Sequence, residues 1–493
     1  MEGTGANKKS KIDNNTTSRI ENENDDNNNN TVVRDAHRVR SAHVSSIVSK
    51  VINSTTLLKA PTIDDNTLLL QKSQNVLDLF DFDTFDARLA ECQEAFSAHL
   101  SNGSTVMNAL AVKANPVRGI LSRARDAGFG AECASFPEAI HSLSLNFKPR
   151  TVIYDTPCKP LDELVIMIDK GCYLNLDNLD EVEKVNMILK SKGHTGGEAT
   201  YAKQFGVRLN PVVGGGSIAS TSTATEASKF GLQLTDETKE TLFKLYGENE
   251  WLQGVHVHIG SQGCALKMLV TGAKRAVDFA LETNARLGRF QIQVMDIGGG
   301  LPTLYDGVNE AYSYKDYVTE LNAQVPELFS SGFTILTEFG RSMFVKSGIT
   351  LSRVETVKTW CNQRIAVVHI GANQFLRTAY LPNQWKHSFS VFDSNGKPKD
   401  DAPLLVHDIA GPMCFSGDFL AQGILLPEIE AGDILVIHDT GGYTVSMYSK
   451  YNSRRASAIY AYEGSDQTLS VLKTRETCEE TLAFWGLEKP TPI

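Results

Sequence analysis

A lysine closes an apolar run in the stretch ALAVKANP, residues 109 to 116. An ammonium group just past a buried strand is most often an ordinary surface charge. The alternative is that Lys113 is held at the carboxyl end of a strand, where its amine can form a Schiff base with a carbonyl group. This stretch alone favours the surface interpretation, and the neighbouring motifs have to decide between the two.

Other reactive side chains also follow short apolar runs, in AECAS (131–135), VHVHIGSQ (255–262), QIQVMDIGGG (291–300) and FTILTEFGR (333–341). The three glycines of DIGGG allow the backbone to approach an anion closely, although a tight turn explains them equally well. They lack the spacing of a dinucleotide fingerprint or a P-loop. Arg341 could pair with a phosphate through two parallel hydrogen bonds, or form an ordinary salt bridge.

Glu338 and His258 are candidates for holding a flat heteroaromatic ring. A carboxylate beside a ring nitrogen keeps that nitrogen protonated, while the alternative is an ordinary ion pair. An imidazole can stack on such a ring, although a lone histidine is more often a hydrogen-bonded structural residue. His256 lies two residues earlier on the same side of the strand and is interpreted as structural.

Two further motifs lie in the carboxyl-terminal third of the chain. GPMCFSGDFL (411–420) contains Cys414 and Asp418. A buried cysteine is usually a small hydrophobic residue, and a reactive thiol is the alternative. HDTGGYTV (438–445) places Tyr443 after two glycines, where its hydroxyl could bind phosphate or cap a turn.

The elements that must position these residues alternate between strand-like and helical patterns from about residue 85. Such β–α repeats predict a parallel sheet, and about eight strands over ~260 residues fit a closed (β/α)8 barrel over residues 85–345. An open doubly wound sheet is the alternative. Residues 346–493 are β-rich without regular helical patterns, which predicts a separate β-sandwich or β-barrel domain. Residues 39–84 precede the barrel and are expected to contribute to that β domain.

Composition excludes several classes of function. The 493 residues include 48 Lys and Arg against 58 Asp and Glu, a net charge of −10, so no basic excess favours nucleic acid. No apolar run approaches the ~20 residues that span a bilayer. The eight cysteines lack metal-binding spacing, which favours reduced thiols in a cytoplasmic protein and no metal site. The Asn-rich residues 1–38 are predicted to be a disordered tail, and organelle targeting stays open.

Taken together, these motifs resemble those of one family, the pyridoxal 5'-phosphate decarboxylases of the alanine-racemase fold. That family includes diaminopimelate, ornithine and arginine decarboxylases. Ten motifs occur in the family's order between about residues 70 and 485: AVKAN, ECAS, IYDTPCKP, KFGL, HVHIGSQ, DIGGGLP, EFGRS, GPMCFSGD, GDILVIHDTGGY and RETCEETL. In its details, the sequence is most similar to the diaminopimelate decarboxylase branch.

The resemblance implies a cofactor, pyridoxal 5'-phosphate, and a role for each matching residue. Lys113 would be the Schiff-base lysine, with Glu132 close to it. His258 would stack on the cofactor ring, and Glu338 would pair with its nitrogen, where racemases of this fold have arginine. The implied phosphate-binding residues are Ser261, Gly298, Gly299, Gly300, Gly340, Arg341 and Tyr443. The implied assembly is a homodimer, in which Cys414 from the partner subunit donates a proton after carbon dioxide leaves.

The sequence departs from the family at the substrate side. Phe339 stands in EFGR where the family usually has proline. Phe415 stands after Cys414 where relatives have an acidic residue that contacts the far end of the substrate. In NQFLRTAYLPNQWKH (373–387), Arg377 is kept, Tyr380 is offset by one residue, and glutamine replaces a common histidine. The predicted substrate-binding residues are therefore Arg377, Tyr380, Cys414, Phe415 and Asp418.

The expected reaction is decarboxylation of an amino acid with a carboxylate or polar far end. The leading candidate is meso-diaminopimelate, which would give L-lysine and carbon dioxide. Other amino acids such as ornithine, lysine or arginine stay open as substrates. A pyridoxal racemase and a catalytically silent homologue are the remaining alternatives.

Overall fold

The computed structural model describes residues 42–53, 74–194, 202–361 and 363–489. The predicted tail, residues 1–38, lies outside these described residues. Strand β1 (Val76–Asp81) comes before the barrel in the chain but belongs to a second sheet. No helix within the described ranges is both long enough and apolar enough to span a membrane.

The barrel consists, in the described residues, of eight parallel strands with a short ninth strand attached. The eight are β2 (Thr105–Ala111), β3 (Gly130–Cys133), β4 (Val152–Asp155), β5 (Tyr173–Leu176), β6 (Phe205–Asn210), β8 (Leu252–His256), β9 (Val294–Asp296) and β10 (Thr334–Phe339). They pair in the order β5-β4-β3-β2-β10-β9-β8-β6, and β5 pairs with β6 to close the ring. The short strand β7 (Leu232–Gln233) pairs with β6. The predicted closed barrel is confirmed, and the open sheet is excluded by the β5–β6 pairing.

The barrel helices occupy the stretches whose sequence shows a helical period. They are Phe82–Ser97, Arg118–Asp126, Phe136–Ser144, Leu161–Lys170, Leu179–Ser191, Lys239–Glu248, Leu266–Leu287, Tyr314–Gln324 and Pro326–Ser330. Glycines end two of these helices, because Gly171 (φ +78°) and Gly288 (φ +62°) adopt the left-handed conformation that closes a helix carboxyl terminus. The central strands are buried throughout, as expected for a parallel sheet covered by helices.

The second sheet is formed by β1 and by strands that follow the barrel. These are β11 (Gly348–Trp360), β12 (Gln363–Val368), β13 (Phe389–Phe392), β14 (Leu404–Ala410), β15 (Phe419–Pro427), β16 (Ile434–Ile437), β17 (Ala458–Glu463) and β18 (Thr468–Lys473). β1 pairs antiparallel with β11 and parallel with β17, so a strand from before the barrel lies inside this sheet. Ile459 and Ala461 of β17 pack into the apolar core of the barrel, which ties the two sheets together.

The sequence patterns missed two short helices in this β-rich region, Leu376–Tyr380 and Cys478–Phe484. The second helix begins with a capping box, in which the Thr477 side chain accepts from the Glu480 N–H and the Glu480 carboxylate accepts from the Thr477 N–H. The spacing of threonine and glutamate in RETCEETL is the usual signal of a helix start. The expectation of no regular helices was therefore wrong for this segment.

Candidate active site

Lys113 lies in a single 3-10 turn, Val112–Ala114, directly after β2. Pairing of β2 with β3 aligns Ala111 with Glu132, so Glu132 lies beside the lysine. The Lys113 Nζ atom is 2.7 Å and 2.8 Å from the two carboxylate oxygens of Glu132, which is fully buried. Burial disfavours the ammonium, but the acidic groups around it, Glu132 first and then Tyr443 and Glu338, together outweigh burial and raise the pKa of Lys113. Lys113 is thus a paired group inside the barrel mouth and not an ordinary surface charge.

A cavity of about 260 Å³ opens at the carboxyl ends of the barrel strands. Lys113, His258 and Glu338 line it together with Asp155 and Arg208. The three predicted residues come from three different strand ends, and the barrel topology brings them together as expected. The Lys113 side chain remains 37% exposed because it borders this cavity.

The three glycines after β9 pass close to the backbones of β8 and β10. A Cβ atom at Gly299 would lie 2.2 Å from the Glu338 carbonyl oxygen, and one at Gly298 would lie 2.6 Å from the Val257 carbonyl oxygen. Gly298 and Gly300 also have positive φ angles, +65° and +96°. Glycine is therefore required here for both space and backbone conformation.

His258 is held in one orientation by this loop. Its Nδ1 atom accepts a hydrogen bond from the Gly299 N–H at 3.3 Å. Burial and the nearby cations Arg208 and Lys113 lower the pKa of His258, so the imidazole is neutral. A neutral, oriented imidazole at the cavity wall suits stacking on a flat ring.

A buried charge network lies beneath the cavity and centres on His256. The His256 Nδ1 atom is 3.2 Å from Asp296 Oδ1, and its Nε2 atom is 3.4 Å from Asp155 Oδ2 and 3.9 Å from Glu338 Oε2. Burial opposes protonation of His256, yet these carboxylates raise its pKa. Burial would also raise the pKa values of the two aspartates, but nearby cations lower them. At Asp155 these cations are Arg208 and His256, and at Asp296 the cation is His256. His256 is therefore the cation that three buried carboxylates share.

Glu338 differs from the other two carboxylates of this network. Burial and the charge of Asp296 raise its pKa well above the usual value. Its Oε1 atom is buried and has no hydrogen-bond partner. Ligand atoms of Asp155, His256 and Glu338 lie within 4.8 Å of one another, the spacing of a metal site. A protonated imidazole has no lone pair for a metal, so the unpartnered oxygen is better suited to a protonated ring nitrogen.

Arg341 follows β10 and is buried under three aromatic rings. Its Nε donates to the Ser261 hydroxyl at 3.3 Å, and its Nη1 donates to the hydroxyl of Tyr305. The guanidinium carbon lies 4.6 Å from the ring centre of Tyr443 and 4.8 Å from that of Trp385. A Cβ atom at the preceding glycine, residue 340, would lie 3.0 Å from the Cβ of alanine 111, so the chain turns here without room for a larger residue.

Arg377, on the short helix Leu376–Tyr380, shares the same two rings with Arg341. Its guanidinium carbon lies 4.8 Å from the ring centres of both Trp385 and Tyr443. The Nη1 atom is buried without a hydrogen-bond partner, and burial together with the charge of Arg341 lowers the pKa of Arg377. Two adjacent cations with an unused donor form a site for anions.

Phe339, the departure from the family motif, points away from the cavity. Its ring is fully buried, packs edge-on against Tyr314 at 4.9 Å and lies tilted against Phe96 at 6.0 Å. Arg341 is positioned two residues later all the same. The phenylalanine that replaces proline therefore packs in the barrel core and leaves the position of Arg341 unchanged.

The remaining predicted residues lie at the surface of the second sheet. Cys414 is exposed, and its N–H donates to Asn452 Oδ1 at 2.7 Å. Phe415 stacks on Tyr380 with 5.6 Å between ring centres. Asp418 is buried, and its carboxylate accepts from the backbone N–H groups of alanine 372 and methionine 413 at 2.6 Å and 2.7 Å. Asp418 therefore shapes the loop that carries Cys414, and its predicted contact with a substrate stays a prediction.

Comparison with known proteins identifies the family. A family model described as the pyridoxal binding domain of pyridoxal-dependent decarboxylases matches residues 85–345. The chain belongs to the pyridoxal-dependent decarboxylases. The diaminopimelate decarboxylase of Helicobacter pylori is 29% identical over 425 residues, which cover 85% of this chain and 97% of that protein. The diaminopimelate decarboxylase of Escherichia coli is 29% identical over 389 residues, which cover 74% of this chain and 85% of that protein.

The solved structures that resemble this chain also include a diaminopimelate decarboxylase. A variant of Helicobacter pylori diaminopimelate decarboxylase complexed with L-lysine superposes with a TM-score of 0.73 and 27% identity. The match covers 85% of this chain and 99% of that one.

The residues of this decarboxylase fit its cofactor, pyridoxal 5'-phosphate. Lys113 offers an amine to an aldehyde, and Glu338 Oε1 offers an unpartnered acceptor to a pyridine N–H. Arg341 offers a guanidinium to a phosphate, whereas in the glycine loop the N–H groups of Gly298 and Gly299 already donate to Asp296 and His258.

Sequence reasoning missed several residues that border the site: Asp155, Arg208, His256, Tyr305 and Trp385. Only His256 gave a usable signal, because the alternation in VHVH places it on the same side of β8 as His258.

Proposed function

We propose that this decarboxylase acts on an α-amino acid with a carboxylate at its far end, with meso-diaminopimelate as first candidate and L-lysine as the product. The observation that carries the proposal is the unpartnered Nη1 of Arg377 beside Arg341. One guanidinium suffices for the cofactor phosphate, so the second is free for another anion. The diaminopimelate decarboxylases among the relatives, and the lysine complexes among the solved structures, support this substrate.

In this proposal, the chain's own groups hold the reacting atoms and their protons. When bound, the cofactor supplies an aldehyde for the substrate amine and a ring that accepts the electron pair left by carbon dioxide. Lys113 binds the aldehyde, and Glu132, 2.7 Å away, holds the proton of the lysine amine. Glu338 keeps the ring nitrogen protonated, and His256 fixes Glu338 from the opposite side. His258 covers one ring face and restrains the ring.

The proton for the α-carbon is assigned to Cys414, from the partner subunit of a homodimer. This assignment is supported by the position of the thiol, since Cys414 is exposed on the second sheet and is absent from the residues that line the Lys113 cavity. An exposed thiol next to exposed aromatic rings suits a surface that a second copy covers.

We also propose that the protein works in the reducing cytoplasm. All eight cysteines are free thiols, including the pair of buried residues Cys92 and Cys133 in the barrel.

Product analysis tests the proposed function. Purified holoenzyme is incubated separately with meso-diaminopimelate, lysine, ornithine and arginine, and carbon dioxide and amines are followed by mass spectrometry. L-lysine should appear from diaminopimelate, and the Lys113→Ala variant serves as the inactive control. Deuterium exchange at the α-carbon without carbon dioxide would instead indicate a racemase. Carbon dioxide from another of the four amino acids alone would assign a different substrate.

A further inference from the structure

Asp439 is a buried aspartate that the reaction proposed above does not use. It follows strand β16 in the segment HDTGGY (438–443), and its side chain is 1% exposed. Its Oδ2 atom accepts from the Gly307 N–H at 2.6 Å, and its Oδ1 atom lies 3.2 Å from Nζ of Lys346, which is also buried. Separating such a pair would leave a charge alone in the interior, so the carboxylate holds the segments it contacts in one arrangement.

The first of these contacts fixes the loop that carries Tyr305. Gly307 lies two residues after Tyr305, whose hydroxyl accepts a hydrogen bond from Arg341. Lys346 adds a link to the same loop, because its Nζ atom lies 3.3 Å from Asp306 Oδ1. The loop that places Tyr305 beside the guanidinium is therefore held at two consecutive residues.

The segment from Asp439 to Tyr443 reaches the barrel mouth. Both of its end residues have positive φ angles, +61° at Asp439 and +58° at Tyr443. Aspartate tolerates this conformation, whereas tyrosine is strained in it and keeps it only where neighbouring contacts hold the backbone. The Tyr443 N–H donates to the carbonyl of Ala114, next to Lys113, and its ring centre lies 4.6 Å from the Arg341 guanidinium carbon. A shift of this segment would therefore move Tyr443 away from both residues.

Lys346 connects the same carboxylate to Arg341 along the chain. Arg341 begins the short helix Arg341–Phe344, and Lys346 lies in the 3-10 turn that follows it directly, Val345–Ser347. The Asp439 carboxylate thus joins three segments, and each of them either carries Arg341 or places an aromatic residue against it.

We infer that Asp439 is a positioning residue for the cofactor phosphate, because its carboxylate aligns Tyr305 and Tyr443 around the guanidinium of Arg341. Within the described residues, the lining of the Lys113 cavity does not include Asp439, so it acts through its neighbours. The inference rests on the proposed function, and specifically on Arg341 as the partner of the phosphate. Loss of the carboxylate should then weaken the phosphate contact and spare the contacts to the rest of the cofactor.

Two forms of the cofactor separate a phosphate effect from a general loss of structure. Full-length protein freed of cofactor is titrated with pyridoxal 5'-phosphate and with pyridoxal, which has the same ring and aldehyde but no phosphate. Quenching of tryptophan fluorescence gives both dissociation constants. We refer to the factor by which pyridoxal 5'-phosphate binds more tightly as the phosphate preference.

Asp439→Asn is the variant that tests the inference. Asparagine keeps the shape of the side chain but has one acceptor oxygen, so it cannot serve Gly307 and Lys346 together. The phosphate preference should fall about tenfold, the effect of one charge-assisted hydrogen bond, while pyridoxal binding should change by less than about threefold. A purely electrostatic role of the aspartate would instead raise the phosphate preference, because the substitution removes a negative charge. A raised or unchanged preference would overturn the inference.

The chain offers a matched control at the other end of the same strand. Asp433 directly precedes β16, is buried, and pairs with Lys399 at 2.8 Å. Asp433→Asn therefore breaks a second buried aspartate–lysine pair of this sheet, and thermal unfolding should show a loss of stability in both variants. Only Asp439→Asn should lower the phosphate preference. An equal fall in both variants would show that a general loosening of the sheet is responsible, and would overturn the inference.

A double substitution covers the case in which Asp439→Asn does not fold. Asp439→Ser/Lys346→Met removes both charges, so neither is left alone in the interior. Serine lacks the carboxylate that reaches Gly307, and the phosphate preference should again fall about tenfold. An unchanged preference in this folded variant would overturn the inference in the same way.

Arg341→Ala separates failure of the inference from failure of the proposed function. It should lower the phosphate preference about 100-fold, because the guanidinium contact itself is lost. A fall in Arg341→Ala without a fall in Asp439→Asn would reject the inference and keep the phosphate role of Arg341. No fall in Arg341→Ala would reject both. Neither result bears on the substrate, which the product analysis decides independently.

Discussion

Arg341 and Arg377 stack their guanidinium groups on the same two rings, those of Trp385 and Tyr443, at 4.6 to 4.8 Å. Arg341 alone also donates to Ser261, while Arg377 keeps a buried Nη1 without a partner. Two like charges held this close stabilise little by themselves. They are best explained as a paired anion site.

Substitution of the two arginines should therefore affect different properties of the enzyme, cofactor binding for Arg341 and substrate binding for Arg377. Arg341→Ala should weaken binding of the cofactor by about 100-fold, because a buried charge-assisted phosphate contact is lost. Arg377→Ala should change cofactor affinity by less than about threefold but raise the Michaelis constant for diaminopimelate about 100-fold. Fluorescence titration with pyridoxal 5'-phosphate and initial-rate kinetics measure the two effects. An unchanged Michaelis constant in Arg377→Ala would exclude the distal-carboxylate contact.

His256 should be needed for stability in a defined range of pH. The pKa of His256 is higher in the folded state than in the unfolded state. Its contribution to folding stability is therefore complete at any pH below the pKa of the unfolded state, and is lost as the pH rises through the pKa of the folded state. The pKa of Asp296 is lower in the folded state than in the unfolded state. Its contribution to folding stability is therefore present at any pH above the pKa of the unfolded state, and is lost as the pH falls through the pKa of the folded state. The network is therefore strongest between about pH 4 and pH 6.5, and persists above that until His256 loses its proton.

Replacing His256 by Gln removes the cation that faces Asp155 and Asp296 and leaves both carboxylates buried without it. The expected loss is about 3–5 kcal/mol of unfolding free energy near pH 6. It should shrink in acid, where the carboxylates are protonated. Chemical denaturation from pH 3 to pH 9 checks this, with His141→Gln as the control, because His141 contacts a backbone carbonyl outside the network. A pH-independent loss would show that His256 acts only through packing.

Much of this site follows from the sequence because the carboxyl ends of parallel strands meet at one edge. Once alternating β and α patterns predict a barrel, Lys113, His258 and Glu338 are expected to face the same cavity. The glycine loop is predictable for a similar reason, since three glycines between strand and helix indicate a close backbone approach.

The contacts that cross between distant segments could not be predicted from local pattern. Trp385 joins Arg341 from the other sheet, and Tyr305 contacts Arg341 from a loop whose path cannot be predicted from sequence periodicity. His256 is placed by its strand, but its charge depends on Asp155 and Asp296 from two other strands. The two backbone N–H groups that donate to the Asp418 carboxylate, those of residues 372 and 413, come from segments that no local pattern brings together.

Lys113 and Glu132 should be coupled in stability as well as in chemistry. Lys113→Ala leaves the fully buried Glu132 without its cation, which should cost about 2 kcal/mol at pH 8, less than a fully buried pair because the lysine is 37% exposed. Burial raises the pKa of Glu132, so the loss should be smaller at pH 5 than at pH 8, because acid favours the neutral carboxyl. The double variant Lys113→Ala/Glu132→Gln should recover most of the loss. Thermal unfolding of the apoproteins at both pH values measures this, and no recovery in the double variant would argue against the coupling.

Shared active sites make a prediction about mixtures of inactive variants. Lys113→Ala and Cys414→Ala each remove one side of a site, and both homodimers should be nearly inactive. If Cys414 acts in the partner's site, each mixed dimer has one of its two sites intact, so the isolated mixed dimer should show about half of the unsubstituted activity and a random mixture about a quarter. Co-expression with two affinity tags, followed by a carbon dioxide assay of the doubly tagged dimer, measures this. Absence of recovery with Lys113→Ala in an isolated mixed dimer would mean that Cys414 serves the site of its own chain or none.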